Sequence, residues 1–171
     1  MLIAPGAKLP DVKIIQPDVF PDARGLFKET YSSKRYEDKG IYGPFVQDNV
    51  SMSHRGVLRG VHYDRRMAKL VQCLSGTIFD VFVDMREGSP TYKVWDAVEL
   101  SGDNHRQVYI PPGFAHGFYT LSEEAIVMYK QTALYDPRYE EAIAWNDPSV
   151  GIEWPLQGSR PPLLSAKDAA V

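Results

Sequence analysis

A histidine and a lysine, His62 and Lys69, bracket a short loop rich in charge. Arg59 precedes them, and Asp84 lies on a later predicted strand. Histidine accepts a proton near neutral pH. Beside fixed cations such a base suits removal of a proton from a carbon next to a carbonyl, because the cations stabilise the enolate oxygen that forms. We expect these four side chains to face one cavity.

The segment 55–86 must position these groups, and we interpret it as two strands joined at Ser75 and Gly76. Alternation with a period of two is typical of a strand, and Ser-Gly between two such runs predicts a hairpin. The second strand places its residues on two faces, Phe79, Val81, Val83 and Met85 on one and Ile78, Asp80, Phe82 and Asp84 on the other. Acids on a face that also carries large apolar groups indicate the wall of a partly polar cavity.

The remaining elements are predicted to be mostly strands. One helix is predicted over Ser32–Gly40, with serine as its N-cap and glycine as its stop. Further extended segments are predicted at 12–15, 26–31, 45–53, 93–100, 107–110 and 125–132. Short strands separated by turn signals favour an all-β barrel or sandwich. We expect one domain over 1–171, with a tail from Asn146 that wraps the surface.

Composition excludes several classes of function. The chain has 171 residues and a net charge of −3, which gives no sign of nucleic-acid or membrane-surface binding. The start has neither the cationic segment nor the apolar run of a signal peptide, and no stretch is long enough to span a bilayer. We therefore expect a soluble, cytoplasmic protein. The single cysteine, Cys73, is predicted to be a buried thiol that packs like a small hydrophobic residue.

The other titratable residues leave two questions open. Metal-binding β-barrels commonly place two histidines one residue apart, and His54, His62, His105 and His116 show no such pair. We therefore expect no metal site. Tyr129 shares a strand face with Val127, so it is either a core tyrosine or a phenol presented to the cavity.

Seven segments of the chain, in one order, together resemble a known family. They are FPDARGLFKETY, QDNVSMSHRGVLRGVHY, AKLVQCLSGTIFDVFVDMREGSPTY, RQVYIPPGFAHGF, YKQTALYDP, WNDPSVGIEWP and LSAKD. The set resembles the dTDP-4-dehydrorhamnose 3,5-epimerase family, sugar-nucleotide epimerases of the cupin superfamily. The resemblance implies a cupin-type jelly-roll β-barrel with a few short helices, without metal or cofactor. It also implies inversion of the carbons that flank the 4-keto group of a nucleotide-linked 6-deoxyhexose.

The resemblance assigns four catalytic roles. His62, in RGVHY, corresponds to the base, and Asp168, in LSAKD, to the carboxylate that orients it. A carboxylate in this place fixes the imidazole tautomer and stabilises its charged form. Tyr129 corresponds to the acid that reprotonates carbon from the opposite face, and Lys69 lies near the keto oxygen.

The resemblance also implies substrate-binding residues and a dimer. Arg59 corresponds to a ligand of the pyrophosphate, for which the planar guanidinium fork is suited. The dimer would exchange N-terminal strands, so that part of each site comes from the partner. The full implied set is Arg24, Phe27, Glu29, Gln47, Asn49, Arg59, His116 and Tyr135.

One loop departs from the family pattern. Only YDRRMA separates His62 from Lys69, where the family usually has a longer connection. We expect the short loop to open the mouth of the barrel and its two arginines, Arg65 and Arg66, to add positive charge where the pyrophosphate or sugar passes. Several alternatives stay open: an epimerase for a GDP- or CDP-linked hexose or heptose, a 3,4-ketoisomerase, or a non-catalytic sugar-nucleotide-binding barrel.

Overall fold

The structure is a computed structural model that describes residues 1–156, 158 and 161–171. The described residues form thirteen strands, one α-helix and a final 3-10 turn at Asp168–Ala170. The helix α1 is Ser33–Glu37, and the strands are β1 Leu2–Pro5, β2 Lys13–Gln16, β3 Val19–Asp22, β4 Gly25–Lys28, β5 Gln47–His54, β6 Leu58–Tyr63, β7 Lys69–Ser75, β8 Thr77–Asp84, β9 Trp95–Ser101, β10 Gln107–Ile110, β11 Phe114–Thr120, β12 Glu124–Gln131 and β13 Glu141–Ala142.

Two antiparallel sheets carry the fold. The first has six strands in the order β1-β2-β10-β7-β12-β5, and the second has five in the order β13-β6-β11-β8-β9. They face each other as a jelly-roll-like sandwich and do not close into one barrel. The all-β prediction and the jelly-roll architecture are confirmed, and the closed barrel is not. The hairpin β3–β4 forms a small sheet of its own.

The main core lies between the two large sheets. It includes Val71 and Val127 from the first sheet and Ile78, Phe82 and Phe118 from the second, all buried. Cys73 belongs to this core and is fully buried, which confirms the sequence prediction. Burial raises the pKa of its thiol to about 11, so the thiolate is scarce at neutral pH.

The hairpin predicted at Ser75 and Gly76 is wrong. β7 pairs with β10 and β12, whereas β8 pairs with β11 and β9, so the chain crosses from one sheet to the other at this point. Gly76 has φ +75°, and a Cβ there would lie 2.0 Å from the carbonyl oxygen of Glu124. The alternating pattern predicted the strand correctly. Alternation with a period of two predicts a strand. It does not show whether the next strand pairs with it in the same sheet or belongs to the other sheet.

Most of the other predicted elements agree with the structure to within two residues, whereas β1, β3, β11 and β13 were not predicted. The β10 bounds are the predicted ones, and the strand predicted over 26–31 ends early, at Lys28. The helix is shorter than predicted, and Ser32 occupies its N-cap position without a side-chain hydrogen bond. Its exit turn closes with a hydrogen bond from the Ile41 N–H to the Tyr36 carbonyl, and Gly40 there has φ +76°.

The C-terminal tail returns to the sheets. Trp154 packs edge-on against Phe79 on the outer face of the five-stranded sheet. Farther on, Leu163 exchanges backbone hydrogen bonds with Gly56 and Leu58 at the start of β6. These contacts carry the last residues back toward β6, which bears His62. None of the described residues belongs to a helix that is long and apolar enough to cross a membrane.

Candidate active site

A cavity of about 500 Å³ lies where the two sheets and the tail meet. The five-stranded sheet contributes His62 from β6 and His116 from β11. The six-stranded sheet contributes Lys69 from β7 and Tyr129 from β12, and the tail contributes Asp168. The sandwich therefore brings together five predicted site residues that lie far apart in the sequence.

Two glycines allow the backbones of β6 and β11 to approach each other closely. Gly60 has φ +112°, and a Cβ there would lie 2.7 Å from the Cα of Gly117. The pairing register shifts at this point, between His116 and Phe118. Beyond the shift His116 pairs with His62. Because directly paired residues project from the same side of a sheet, both imidazoles enter the cavity.

His62 lies between two carboxylates. Its Nε2 is 2.7 Å from Asp168 Oδ1, a close contact that is not aligned as a hydrogen bond. Its Nδ1 is 3.3 Å from Glu140 Oε1. Burial lowers the pKa of His62 below its usual 6.5, against the opposing effect of the two acids. The imidazole is therefore neutral near pH 7, and a proton on Nε2, facing Asp168, leaves Nδ1 as the basic nitrogen.

Lys69 supplies a partly buried cation beside the base. Its Nζ donates to the carbonyl oxygen of His62 at 3.4 Å. Burial lowers the pKa of Lys69 to about 8, although the charges of Glu140, Asp80 and Asp64 act in the opposite direction. The ammonium form still predominates at neutral pH. It is a fixed positive charge inside the cavity, where electrostatic stabilisation is stronger than in bulk water.

The buried acid beside the cavity is Asp80, which pairs with His116. His116 Nε2 lies 2.8 Å from Asp80 Oδ2, and Asp80 is fully buried with its second oxygen unpartnered by any described residue. The expectation that Asp84 enters the cavity is wrong. Four strand residues span roughly 13 Å, which places Asp84 at the far end of β8. There it accepts hydrogen bonds from Arg86, Ser89 and Thr91, at 2.6 to 2.9 Å.

Tyr129 presents its side chain to the cavity from the six-stranded sheet. Burial raises the pKa of its phenol above 10, so the group is protonated at neutral pH and available as a donor. Arg59 lines the same cavity and is tied to β5, donating to Ser53 Oγ at 2.8 Å and to the Met52 carbonyl at 3.0 Å. Tyr129 also packs against the main core. Both interpretations of this residue therefore hold, because its ring packs on the core and its side chain also lines the cavity.

The residues predicted to bind substrate fall into three groups. Arg59, His116 and Tyr135 line the cavity. Gln47 and Asn49 lie at its margin. Gln47 accepts a hydrogen bond from the Tyr135 backbone at 2.9 Å, and Asn49 donates to Gln131 at 3.1 Å.

The third group, on the N-terminal hairpin and just after it, lies outside the cavity of its own chain. The Arg24 side chain is 90% exposed and pairs with Asp22, and Phe27 is 71% exposed. Glu29 forms an ion pair with Arg35. The described residues of one chain therefore do not bring this group to His62.

Sequence reasoning missed Glu140 and Lys167, which form an ion pair at the cavity beside His62. Burial raises the pKa of Glu140, but Lys167 and neighbouring donors outweigh this and hold it below its usual value. Glu140 belongs to the charge-rich run YDPRYEE, and no signal in that run distinguishes it from its neighbours. The part of the chain that the structure describes holds no group of three or more histidine, cysteine, aspartate or glutamate side chains placed to bind a metal ion.

The two arginines of the short loop are engaged elsewhere. Arg66 pairs with Asp64 at 2.6 Å and lies 3.6 Å over the ring of Tyr139. Arg65 pairs with Glu141 of β13 at 2.8 Å. The expectation that they add positive charge to the mouth of the cavity is wrong, because nearby acids hold both guanidinium groups outside its lining.

Comparisons with known proteins show the family of the chain. A family model described as dTDP-4-dehydrorhamnose 3,5-epimerase matches residues 6–171. A relative of that name from Salmonella typhimurium is 51% identical over 174 residues, covering 99% of this chain and 94% of its own. Another from Methanothermobacter thermautotrophicus is 50% identical over 157 residues, covering 91% and 85%.

Solved structures show the same fold. A 3,5-epimerase from Legionella pneumophila, in complex with dTDP-4-keto-L-rhamnose, superimposes with a TM-score of 0.94 at 49% identity, covering 99% of this chain and 90% of that chain. A 3'-monoepimerase from Streptomyces bikiniensis, in complex with dTDP-quinovose, gives a TM-score of 0.90 at 33% identity, covering 98% and 85%. The chain described here belongs to the dTDP-4-dehydrorhamnose 3,5-epimerase family.

Proposed function

We propose that this protein epimerises C3 and C5 of dTDP-4-keto-6-deoxyglucose, giving dTDP-4-keto-rhamnose, without a cofactor. One observation carries the proposal. A neutral histidine in close contact with Asp168 projects from one sheet, and a protonated phenol and a partly buried ammonium project into the same cavity from the facing sheet. Family membership supports the same reaction.

His62 acts as the base in this mechanism. The 4-keto group acidifies the hydrogens on C3 and C5, and Nδ1 accepts one of them to give an imidazolium that Asp168 stabilises. The carbon electron pair moves onto the keto oxygen as an enolate. Lys69 and His116 stabilise that oxygen, since both line the cavity and a preorganised cation there is worth more than in water.

Tyr129 acts as the acid in the second half of the mechanism. It lies on β12 of the six-stranded sheet, whereas His62 lies on β6 of the five-stranded sheet. A sugar ring between the sheets has the base on one face and the phenol on the other, so reprotonation by Tyr129 inverts the carbon. The phenolate and the imidazolium return to their starting states by proton exchange with solvent. A 3,4-ketoisomerase has no need for an acid opposite its base, so this arrangement favours epimerisation.

We also propose a homodimer in which the N-terminal hairpin of each chain enters the partner's cavity. Arg24 and Phe27 project from the hairpin into solvent, and Phe20 and Leu26 expose apolar surface on it. An exposed hairpin with apolar side chains favours association with a second chain. In the exchanged position Arg24, Phe27 and Glu29 would reach the nucleotide that Arg59 holds by its pyrophosphate.

The experiment is incubation with dTDP-4-keto-6-deoxyglucose in deuterated water, followed by NMR. We expect deuterium at both C3 and C5 and the rhamno configuration in the product. GDP- and CDP-linked 4-keto sugars, tested in parallel, are expected to have much lower kcat/KM, because the relatives at about 50% identity are named for dTDP. Exchange at C3 alone would indicate a monoepimerase instead, and no exchange with the dTDP sugar would refute the proposal.

The pH dependence of kcat/KM gives a second test. The reaction needs neutral His62 and charged Lys69, so we expect a bell-shaped profile with an acid limb below 6.5 and an alkaline limb near 8. The negative charge of Asp80 raises the pKa of Lys69, so Asp80→Asn is expected to move the alkaline limb to lower pH. Asp84→Asn, a buried acid at the far end of the same strand, is the matched control and should leave that limb in place. An unmoved limb in Asp80→Asn would contradict this electrostatic role.

A further inference from the structure

The hairpin β3–β4 joins the rest of the chain at two points, the end of β2 and the residues from Lys28 to Thr30, which we call its roots. One short segment, residues 104–107, contacts both roots. Gln16, the last residue of β2, donates its side-chain amide to the carbonyl oxygen of Asn104 at 3.0 Å. On the outgoing root, Lys28 Nζ lies 3.3 Å from His105 Nδ1. We name residues 104–107 the arm clamp, because they contact the chain on both sides of the hairpin.

Gln107 makes the strongest contacts of the arm clamp. It is 1% exposed, and its Nε2 donates to the carbonyl oxygen of Thr30 at 2.8 Å. Its Oε1 accepts a hydrogen bond from the Tyr36 hydroxyl, also at 2.8 Å. Its backbone pairs with Ile15 of β2, so one residue contacts the chain before and after the hairpin. Removal of this amide would take one hydrogen bond each from the Thr30 carbonyl and the buried Tyr36 hydroxyl, which also lie within hydrogen-bond distance of each other at 3.0 Å.

The position of Thr30 gives these contacts a consequence for substrate. Thr30 directly follows Glu29 and lies three residues after Phe27. Strands β3 and β4 pair with each other and, among the described residues, with no strand of the two large sheets. The direction of the hairpin is therefore set at its roots, and a small change there moves Arg24, at the tip, by a larger distance.

We propose that the arm clamp, and Gln107 above all, is a positioning element for substrate binding in the partner's cavity. The inference rests on the proposed function, which places Arg24, Phe27 and Glu29 of one chain at the nucleotide of the other. Gln107 itself touches no substrate. It raises the fraction of chains whose hairpin is oriented to enter the partner's cavity. The apparent affinity for substrate scales with that fraction.

The first experiment compares glutamine variants. Gln107→Leu is expected to raise the KM for dTDP-4-keto-6-deoxyglucose and the Kd for dTDP roughly tenfold, with kcat at saturation unchanged, since a buried hydrogen-bonded amide is lost. Gln72→Leu is the matched control. Gln72 is buried at 4% exposure on β7 of the same sheet and makes only weak side-chain contacts, at 3.9 Å to Met128 and 3.4 Å to Gln107, so its KM should stay at the wild-type value.

A second variant tests the inference even if Gln107→Leu does not fold. Gln16 is only partly buried, and Gln16→Leu removes its hydrogen bond to Asn104 while leaving the core intact. We expect its KM to rise in the same sense, by less than for Gln107→Leu. If Gln107→Leu does not fold, an unchanged KM in Gln16→Leu overturns the inference.

The second experiment tests whether the effect acts between chains. A mixed dimer is purified from Gln107→Leu and His62→Asn chains that carry different tags. Its one cavity with an intact His62 receives the hairpin of the chain with an intact Gln107. We therefore expect the wild-type KM with half the kcat per dimer.

The possible failures are distinguishable. A raised KM in the mixed dimer, or an unchanged KM in the Gln107→Leu homodimer, overturns this inference and leaves the proposed reaction standing. A wild-type protein that runs at the mass of one 19.3 kDa chain with full activity, or one that does not invert the dTDP sugar, instead overturns the proposed dimer or reaction.

Discussion

His62→Asn is expected to lower kcat for epimerisation by roughly 10²- to 10⁴-fold, the usual contribution of a positioned general base. Asparagine is smaller than histidine but is also polar and uncharged, and the backbone pairing of β6 does not depend on the side chain, so the cavity should keep its overall shape. Its amide cannot accept a proton from carbon, and exchange of the C3 and C5 hydrogens with deuterium should therefore fall by the same factor. Binding of dTDP, measured by calorimetry, should be unchanged, because the predicted contacts of the nucleotide do not include His62.

Two further variants complete this test. Asp168→Asn should also slow exchange, since an amide can donate to Nε2 and so favour the wrong tautomer of His62. His54→Asn is the matched control, because the His54 side chain is 74% exposed and lies outside the cavity lining. Undiminished turnover in His62→Asn would show that another group removes the proton.

Tyr129→Phe is expected to separate proton removal from inversion. Phenylalanine keeps the packing of the ring against the core and removes only the hydroxyl. His62 would still remove and return protons on its own face of the sugar. We therefore expect deuterium to enter C3 and C5 at a substantial rate, while formation of the inverted product falls by roughly 10²-fold or more, the loss of one positioned acid.

The measurement is the ratio of exchange to inversion by NMR in deuterated water. Tyr139→Phe provides the control, since Tyr139 lies under Arg66 and outside the cavity lining and its ratio should match the wild type. Normal inversion by Tyr129→Phe would restrict Tyr129 to packing and would require a different acid on the six-stranded sheet.

Local pattern was sufficient for most strands and for several of the site residues. The β10 bounds follow from the short run Gln107–Ile110 next to a polar turn, and the burial of Cys73 follows from its place inside an apolar strand. Sequence segments that resemble the family identified His62 and Asp168 as partners although 106 positions separate them, and the structure places them 2.7 Å apart. Strand positions, the burial of Cys73 and the identity of these two site residues depend on residue order and side-chain type, and the sequence gives both directly.

The remaining features depend on which strands meet, and alternation carries no information about that. Ser75 and Gly76 look like a hairpin turn but form a corner, because β7 and β8 each find their partners in a different sheet. Asp80 and Asp84 share a strand face, yet Asp80 lies near Lys69 and Asp84 is bound to Arg86. Only the position of β11 and of the cavity beside it distinguishes these two acids. Arg65 illustrates the same limit, since its partner Glu141 is 76 residues away and reaches it only after β13 pairs with β6. Long-range pairing of strands, fixed by burial of both sheets against each other, decides these contacts.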